Sequence, residues 1–162
     1  MKIKFTHFLP ATALVFGALL GGCSGAPKGP PKEVTIQVDD KMRFDLTTFD
    51  VKPGQGVSVT LRNVGTTPKF SMGHNFVLLE QNMNTLNVSR FLDVASMEAA
   101  HDYVPPSSKD VIAHTKLLGP GESDTVTFNA PVETGEYLYV CSFPGHYSQG
   151  AKGIMNVRLN VR

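Results

Sequence analysis

The chain has 162 residues, and its 15 basic and 14 acidic side chains give a formal net charge of +1 at pH 7. This balance leaves no basic stripe, so the composition argues against a nucleic-acid partner. The chain has two cysteines, Cys23 and Cys141. Their sequence contexts predict two different roles, neither of which is a disulfide.

The first residues have the pattern of a signal peptide. Lys2 and Lys4 precede an apolar run over 8–22, which is too short to span a membrane comfortably. The run ends in Leu-Gly-Gly-Cys at 20–23, which resembles a bacterial lipobox and predicts cleavage after residue 22 and lipidation of Cys23. An ordinary signal peptide cut after a small residue is the alternative. Cleavage of 1–22 removes two lysines and no acid, which leaves 13 basic and 14 acidic residues.

We interpret residues 23–32 as a lipidated cysteine followed by a tether. The stretch Ser-Gly-Ala-Pro-Lys-Gly-Pro-Pro-Lys at 24–32 is rich in proline and glycine and too poor in apolar residues to pack. Nine extended residues reach about 30 Å, which holds a small domain just off a lipid surface. The remaining residues, 33–162, can bury one core, and their sequence shows no repeat and no second domain.

The pattern of this domain is that of short strands. Apolar and polar residues alternate over 34–38 and again over 57–61, and Pro-Gly-Gln-Gly at 53–56 is typical of a turn. Further strands are predicted at 75–79, 112–118, 124–129, 137–141 and 153–161. Strands at this spacing favour an antiparallel sandwich. The exception is 82–109, in which 89–100 has helical spacing.

A cysteine and a histidine lie five residues apart after an apolar strand. Phe-Pro-Gly at 143–145 separates Cys141 from His146, and this sequence is typical of a tight turn that lets both side chains reach one ion. Thiolate with imidazole suits copper or zinc. A further imidazole is available from His74, which precedes another apolar run. The distance along the chain is no obstacle, because a β-sandwich brings distant strand ends together.

These motifs resemble those of azurin and its relative auracyanin, which are blue copper proteins of the cupredoxin family. The likeness rests on Met-Gly-His-Asn at 72–75, Val-Ile-Ala-His-Thr-Lys-Leu at 111–117, Thr-Val-Thr-Phe at 125–128 and Cys-Ser-Phe-Pro-Gly-His at 141–146, in the family's order. The resemblance covers nearly all of 33–162. It implies an all-β fold, a Greek-key sandwich of about eight strands with one helical flap outside it.

The resemblance also implies one mononuclear type 1 copper as the cofactor. Blue copper sites hold the ion by two His and one Cys, with a weak axial donor. By resemblance, His74, Cys141 and His146 are the equatorial ligands, and the carbonyl of Gly73 approaches from the axial side. Asn75 resembles the asparagine that ties the two ligand loops together near the sulfur.

The chain departs from the family at the axial methionine. That residue follows the second histidine by four positions in azurin and by five in auracyanin, and Gly150 and Ala151 occupy those positions here. The following Lys-Gly favours Ala151 as the aligned residue. Gln149, water and Met155 are alternative donors, although Met155 falls where the family has a core residue. Loss of a weak donor should raise the reduction potential, whereas entry of water would lower it.

Two further histidines lie outside the shared motifs. We interpret His101 as a flap residue and His114 as a surface strand residue, and we expect neither to be a ligand. Apolar side chains near the ligand motifs predict a patch around the edge of His146, where a partner could dock. Its members are Met72, Phe143, Pro144 and Tyr147.

The resemblance implies a lipid-anchored carrier of single electrons, not an enzyme, cycling between Cu(I) and Cu(II) in the periplasm. The implied partners are redox proteins, either a cytochrome or a copper oxidoreductase. One alternative is an open-site copper protein that binds or reacts with a small exogenous ligand. Others are copper storage or delivery and a zinc site, since two His, one Cys and an open position also suit zinc. Ser24 favours the outer membrane if the cell is Gram-negative.

Overall fold

The computed structural model describes residues 30–81 and 83–161, and this part of the chain forms eight strands. The predicted signal peptide, Cys23 and most of the tether lie outside the described residues. In chain order the strands are β1 (Lys32–Val38), β2 (Thr48–Val51), β3 (Gly56–Asn63), β4 (Val77–Leu79), β5 (Val111–His114), β6 (Ser123–Asn129), β7 (Gly135–Val140) and β8 (Lys152–Val157). The prediction of an all-β fold of about eight strands is confirmed.

The strands form two sheets, one in the order β1-β3-β6 and the other in the order β2-β8-β7-β4-β5. The pairs β3 with β6, β4 with β5, β4 with β7 and β7 with β8 are antiparallel. The pairs β1 with β3 and β2 with β8 are parallel, which the prediction of an antiparallel sandwich did not include. The chain crosses from β1 to β2 in the other sheet before it returns as β3, and this crossover permits the parallel pairing.

Several strand boundaries differ from the predicted ones. The sequence did not predict β2, whose short Thr-Phe-Asp-Val pairs with Ile154–Val157. β4 begins at Val77, two residues later than predicted, and β5 ends at His114, earlier than predicted. β8 ends at Val157 because its partner strand β7 begins at the paired Gly135 and offers no further residues.

The core between the sheets is built around an aromatic cluster. The Tyr139 ring lies 5.8 Å from that of Phe44, 5.6 Å from that of Phe49 and 5.3 Å from that of Phe76. Its hydroxyl donates to the Leu46 carbonyl at 2.7 Å, which satisfies the one polar atom of this buried side chain. Each such side chain contributes about 1.5–3 kcal/mol by burial. Cys141 therefore follows a rigidly packed strand.

Three α-helices and one 3₁₀ helix connect the described strands. They are α1 (Lys69–Met72), α2 (Thr85–Ala95), the 3₁₀ helix Ala99–His101 and α3 (His146–Gln149). The helix predicted over 89–100 begins earlier, because the side chain of Asn84 accepts a hydrogen bond from the Asn87 amide and caps α2. None of the described helices is long and apolar enough to cross a membrane.

Residues 83–104, which include α2 and the 3₁₀ helix, form the flap that the resemblance implied. The buried face of α2 consists of Val88, Phe91 and Ala95. Phe91 and Ala95 share one hydrophobic cluster with Val77 and Leu79 of β4, Val104 of the flap and Val140 of β7. The flap thus packs against strands that lead to the ligand motifs.

Candidate metal centre

The loop from Cys141 to Ala151 connects β7 to β8 and folds back on itself. The Cys141 amide donates to the Ala151 carbonyl at 2.9 Å, and the Ala151 amide donates to the His146 carbonyl at 3.2 Å. Gly145 adopts a left-handed conformation, with φ of 86°, immediately before α3. A side chain would be strained there, so glycine permits the tight turn that the sequence predicted. The turn brings Nδ1 of His146 to 3.4 Å from Sγ of Cys141.

His74 reaches the sulfur from the segment that precedes the neighbouring strand, β4. β4 pairs with β7, and Val77 lies opposite Val140, so the chain before β4 lies beside the chain after β7. The His74 amide donates to the Leu118 carbonyl at 3.1 Å, and the Leu118 amide donates back at 2.7 Å. Main-chain pairing therefore fixes the backbone of His74. Its Nδ1 lies 3.9 Å from Sγ of Cys141.

The three side chains form a buried cluster with the geometry of a metal site. One ligand atom from each of His74, Cys141 and His146 lies within 4.8 Å of the others. An ion bound in a trigonal plane at ordinary zinc-type bond lengths holds sulfur and nitrogen about 3.7 Å apart. The measured separations of 3.4 and 3.9 Å bracket that value. The cluster suits one type 1 copper ion, as predicted.

Burial keeps the imidazoles of His74 and His146 in their neutral form. Burial lowers the pKa of His74 to about 4, and burial together with the neighbouring His74 lowers the pKa of His146 to about 4. Both rings are therefore neutral near pH 7, which is the form that binds metals. Nε2 of His74 is buried and has no hydrogen-bond partner among the described residues. The ring is thus oriented by packing, with Nδ1 toward the sulfur.

The thiol of Cys141 is held in its protonated form when no metal is bound. Burial raises its pKa to about 11, although hydrogen bonds from the backbone amides of Asn75 and Phe143 act in the opposite direction. The Cys141 sulfur would lose that proton on binding a metal ion. The amides of Asn75 and Phe143 would then donate to the thiolate, and hydrogen bonds of this kind tune the redox properties of metal sites.

Asn75 links the two ligand segments, as the resemblance implied. Its Oδ1 accepts from the Ser142 amide at 2.9 Å, and its Nδ2 donates to Oγ of Ser142 at 2.8 Å. Nδ2 also donates to the carbonyl of Asp102 at 2.8 Å. Ser142 in turn donates its hydroxyl to the Tyr103 carbonyl at 2.7 Å. No sequence pattern points to Ser142 or Tyr103, because their contacts depend on how a segment distant in the chain packs.

The axial position has no side-chain donor from the aligned residue. Ala151 is fully buried beside Cys141, and Gly150 has no side chain. Met155 is buried in the core and lies opposite Tyr137 of β7. Tyr137 is four residues before Cys141, so the backbones of Met155 and Cys141 are about 13 Å apart along the strand direction. That separation rules out Met155 as a ligand. Gln149 is exposed at the end of α3, and its carbonyl accepts a hydrogen bond from Nε of Arg43 at 3.2 Å.

Gly73 is buried between α1 and His74, and the structure gives a packing reason for glycine there. An added Cβ would lie 2.7 Å from the side chain of Leu117 and 2.7 Å from the Lys69 carbonyl oxygen. Such contacts exclude any larger residue unless the neighbours move. The role of its carbonyl as an axial contact stays a prediction.

The remaining described histidines lie outside the cluster. Nδ1 of His101 pairs with the carboxylate of Glu98 at 2.8 Å on the surface of the flap. His114 is exposed at the end of β5, with Nδ1 near the carbonyl of Thr115 at 3.1 Å. These positions match the flap and strand locations predicted for them.

Aromatic rings cover the His146 side of the cluster. The Phe143 ring lies 4.6 Å from the His146 ring, and the Tyr103 ring packs edge-on against Phe143 at 4.9 Å. Pro144 and Gly145 are exposed, and His146 itself is only 2% exposed. The ligands are thus shielded from solvent by a thin apolar layer.

Comparisons with known proteins agree with this geometry. Residues 32–158 match the family described as copper binding proteins, plastocyanin/azurin family. The chain is 42% identical over 119 residues to azurin of Achromobacter denitrificans, covering 72% of this chain and 78% of the relative. It is 39% identical over 115 residues to outer membrane protein H.8 of Neisseria meningitidis serogroup B, covering 69% of this chain and 60% of that relative.

A solved structure shows the same fold. Auracyanin from the photosynthetic bacterium Roseiflexus castenholzii, reduced with dithionite, superimposes with a TM-score of 0.67 at 33% identity, covering 80% of this chain and 99% of that one. Residues 32–158, which the family model matches, include both ligand segments. The chain therefore belongs to the plastocyanin/azurin family of copper-binding proteins.

Proposed function

We propose that this protein is a one-electron carrier whose copper is bound by His74, Cys141 and His146. The observation that carries the proposal is the buried cluster of three ligand atoms, assembled by two neighbouring strands of a packed sandwich. Copper, when bound, supplies a couple between Cu(I) and Cu(II). The chain's contribution is to hold the donors in nearly the same place in both states, which keeps the rearrangement on electron transfer small.

Burial of the ligands favours a carrier over a catalyst. His74 and Cys141 have no exposed surface, and His146 has very little. A substrate would need access to an open coordination position, whereas an electron needs only short contact through the imidazole of His146. The alternative of an open-site copper protein requires a small molecule to enter beside Ala151, which is also fully buried.

The alanine at the axial position supports a proposal about the reduction potential. A weak axial donor stabilises Cu(II) more than Cu(I), and Ala151 cannot supply one. The backbone of Ala151 is hydrogen-bonded within the loop, to the amide of Cys141 and the carbonyl of His146. We therefore infer a potential higher than that of a variant carrying methionine at residue 151.

We infer that redox partners dock over His146. Pro144 and Gly145 are exposed there, and Phe143 and Tyr147 are partly exposed beside them. On the other ligand segment, Met72 is partly exposed and Phe70 is 84% exposed. Apolar side chains presented together support docking of a protein such as a cytochrome or a copper oxidoreductase.

The cellular placement is also a proposal. We infer an extracytoplasmic protein, anchored to a membrane by lipid on Cys23, from the signal-peptide pattern of the sequence. The name of the Neisseria relative places that relative in an outer membrane. Replacement of Cys23 by serine should release the protein from the membrane fraction, while retention there would contradict the lipid anchor.

The proposed function is tested by spectroscopy of the domain from residue 24 onward, loaded with Cu(II). A strong absorption band at about 600 nm and a narrow hyperfine splitting in the paramagnetic-resonance spectrum, both unchanged by azide, would support a closed electron-transfer site. A band that shifts on addition of azide would favour the open-site alternative. Absence of any band from thiolate to copper would contradict the blue-copper assignment. Tight retention of zinc against copper would favour a zinc site.

A further inference from the structure

The flap ends in an unusual stretch of backbone beside the ligand loops. Asp102 and Tyr103 are consecutive and both adopt the left-handed conformation, with φ of 58° and 60°. For residues other than glycine this region of backbone space is unfavourable, and it persists only where surrounding contacts determine it. The stretch follows the 3₁₀ helix directly, so the contacts that hold it bear on the docking of the whole flap.

Those contacts are hydrogen bonds from the two ligand segments. Asp102 presents its carbonyl to Nδ2 of Asn75 at 2.8 Å, and Tyr103 presents its carbonyl to Oγ of Ser142 at 2.7 Å. Asn75 and Ser142 adjoin His74 and Cys141 in sequence and are themselves buried. Every polar atom in this small network has a partner, which is the condition under which buried polar groups rigidify a structure.

The side chain of Tyr103 extends the same connection toward the other ligand. Its ring packs edge-on against Phe143 at 4.9 Å, and the Phe143 ring lies 4.6 Å from that of His146. Tyr103 therefore contacts the loop twice, through its carbonyl beside Cys141 and through its ring on the side of His146. Undocking of the flap would therefore break both of these contacts, which lie at residues 142 and 143 of the ligand loop.

We propose that the flap is part of the frame of the metal site, and that Ser142 is the positioning residue that couples flap docking to metal binding. The proposal rests on the proposed copper function. Because coupling between two equilibria is reciprocal, a docked flap strengthens metal binding and a bound metal strengthens docking of the flap. The flap is thus a positioning element for the copper loop, in addition to covering the outer face of the sheet.

The test compares hydrogen exchange and copper binding in three variants. Wild type should show slower amide exchange over 83–104 when loaded with Cu(I) than without metal. Ser142→Ala removes both hydrogen bonds of the Ser142 hydroxyl, one from Asn75 and one to Tyr103. It should speed exchange over these residues at least about tenfold and should weaken copper affinity about tenfold. Ser142→Thr, which keeps the hydroxyl, should restore both. Ser96→Ala is the matched control, because the Ser96 hydroxyl donates to the Asp93 carbonyl within the flap at 2.7 Å.

A second variant keeps the proposal testable if Ser142→Ala fails to fold. Tyr103→Asn removes the ring but retains a residue that tolerates the left-handed conformation. It should shift the absorption band and hyperfine splitting of the Cu(II) form, since the support for Phe143 and His146 is lost. Faster flap exchange without any change in copper affinity or spectrum would overturn the proposal. A wild-type protein with no thiolate band would instead overturn the proposed function.

Discussion

The two segments that carry the cluster are held in different ways. His74 lies on backbone that pairs with Leu118 in both directions, so the main chain of the sandwich fixes it. The loop of residues 141–151 closes through its own turn and is held from outside by the side chains of Asn75 and Arg43. The His74 segment is therefore part of the sandwich itself, whereas the loop can change its chemistry without loss of the sandwich.

Replacement of the sulfur ligand should separate these two roles most clearly. Cys141→Ser keeps a side chain of similar size on the loop and removes the thiolate. We expect the visible band to disappear and copper affinity to fall by more than about 100-fold. This loss exceeds that for replacing a residue that only hydrogen-bonds to a ligand. The metal-free variant should unfold close to the wild-type temperature. A retained band would show that the sulfur is not a copper ligand.

Asn75 joins the two segments, so its replacement should affect both. Asn75→Ala removes three hydrogen bonds and leaves buried groups of Ser142 and Asp102 without a partner. We expect a loss of about 2–4 kcal/mol in the free energy of unfolding of the metal-free protein, measured with denaturant. Asn129→Ala, at an exposed strand end, is the control and should change it by less than about 0.5 kcal/mol. Equal stability of the two variants would contradict the proposed link.

The loop's chemistry can be adjusted at residue 151. Ala151→Met adds a thioether where the family carries one, and it should favour Cu(II) by about tenfold, which lowers the potential by about 60 mV. Overpacking at this buried position should also cost about 1–3 kcal/mol of stability. Ala151→Leu is the matched control, because it adds similar bulk without a donor. If both variants shift the potential equally, packing and not coordination sets it.

The smallest effect should come from the chain that leads into the His74 segment. Asp40 accepts hydrogen bonds from the Thr66 amide at 3.0 Å, the Thr66 hydroxyl at 2.9 Å and the Thr67 amide at 3.2 Å. These bonds, led by that of the Thr66 amide, lower the pKa of Asp40 to about 2. The pKa is lower in the folded protein, so the stabilisation is complete above about pH 4 and is lost as the pH falls through 2.

Thermal unfolding of Asp40→Ala and wild type between pH 2 and 6 checks this pH dependence. The difference between them should shrink as the pH falls from about 4 to 2, and the copper spectrum at pH 6 should be the same. A difference that does not vary with pH would show that the carboxylate contributes nothing through its charge.

The parts of the site that follow from local chemistry were predictable from the sequence. The Pro144-Gly145 turn sets how Cys141 meets His146, and both partners lie within six residues. The prediction that His74 is a ligand depended on the resemblance as well, because the pairing of β4 with β7 is what brings His74 near Cys141. The alternation of apolar residues likewise predicted β1 and β3 well.

Features that depend on tertiary packing were missed. β2 is four residues long and contains an aspartate, so its pattern is too weak to separate from a loop. Tyr103 adopts a left-handed backbone although it is neither glycine nor asparagine, the residues that usually indicate this conformation. The role of Ser142 is visible only from its hydrogen bond to the flap. Such contacts are fixed by packing between segments far apart in sequence.

The most direct test of the central claim is voltammetry of the copper-loaded protein. We expect one reversible one-electron wave, at a potential above that of Ala151→Met, with the blue band lost on reduction and recovered on oxidation. The absence of a reversible wave, in a protein shown to contain one copper ion per chain, would contradict the assignment as an electron carrier.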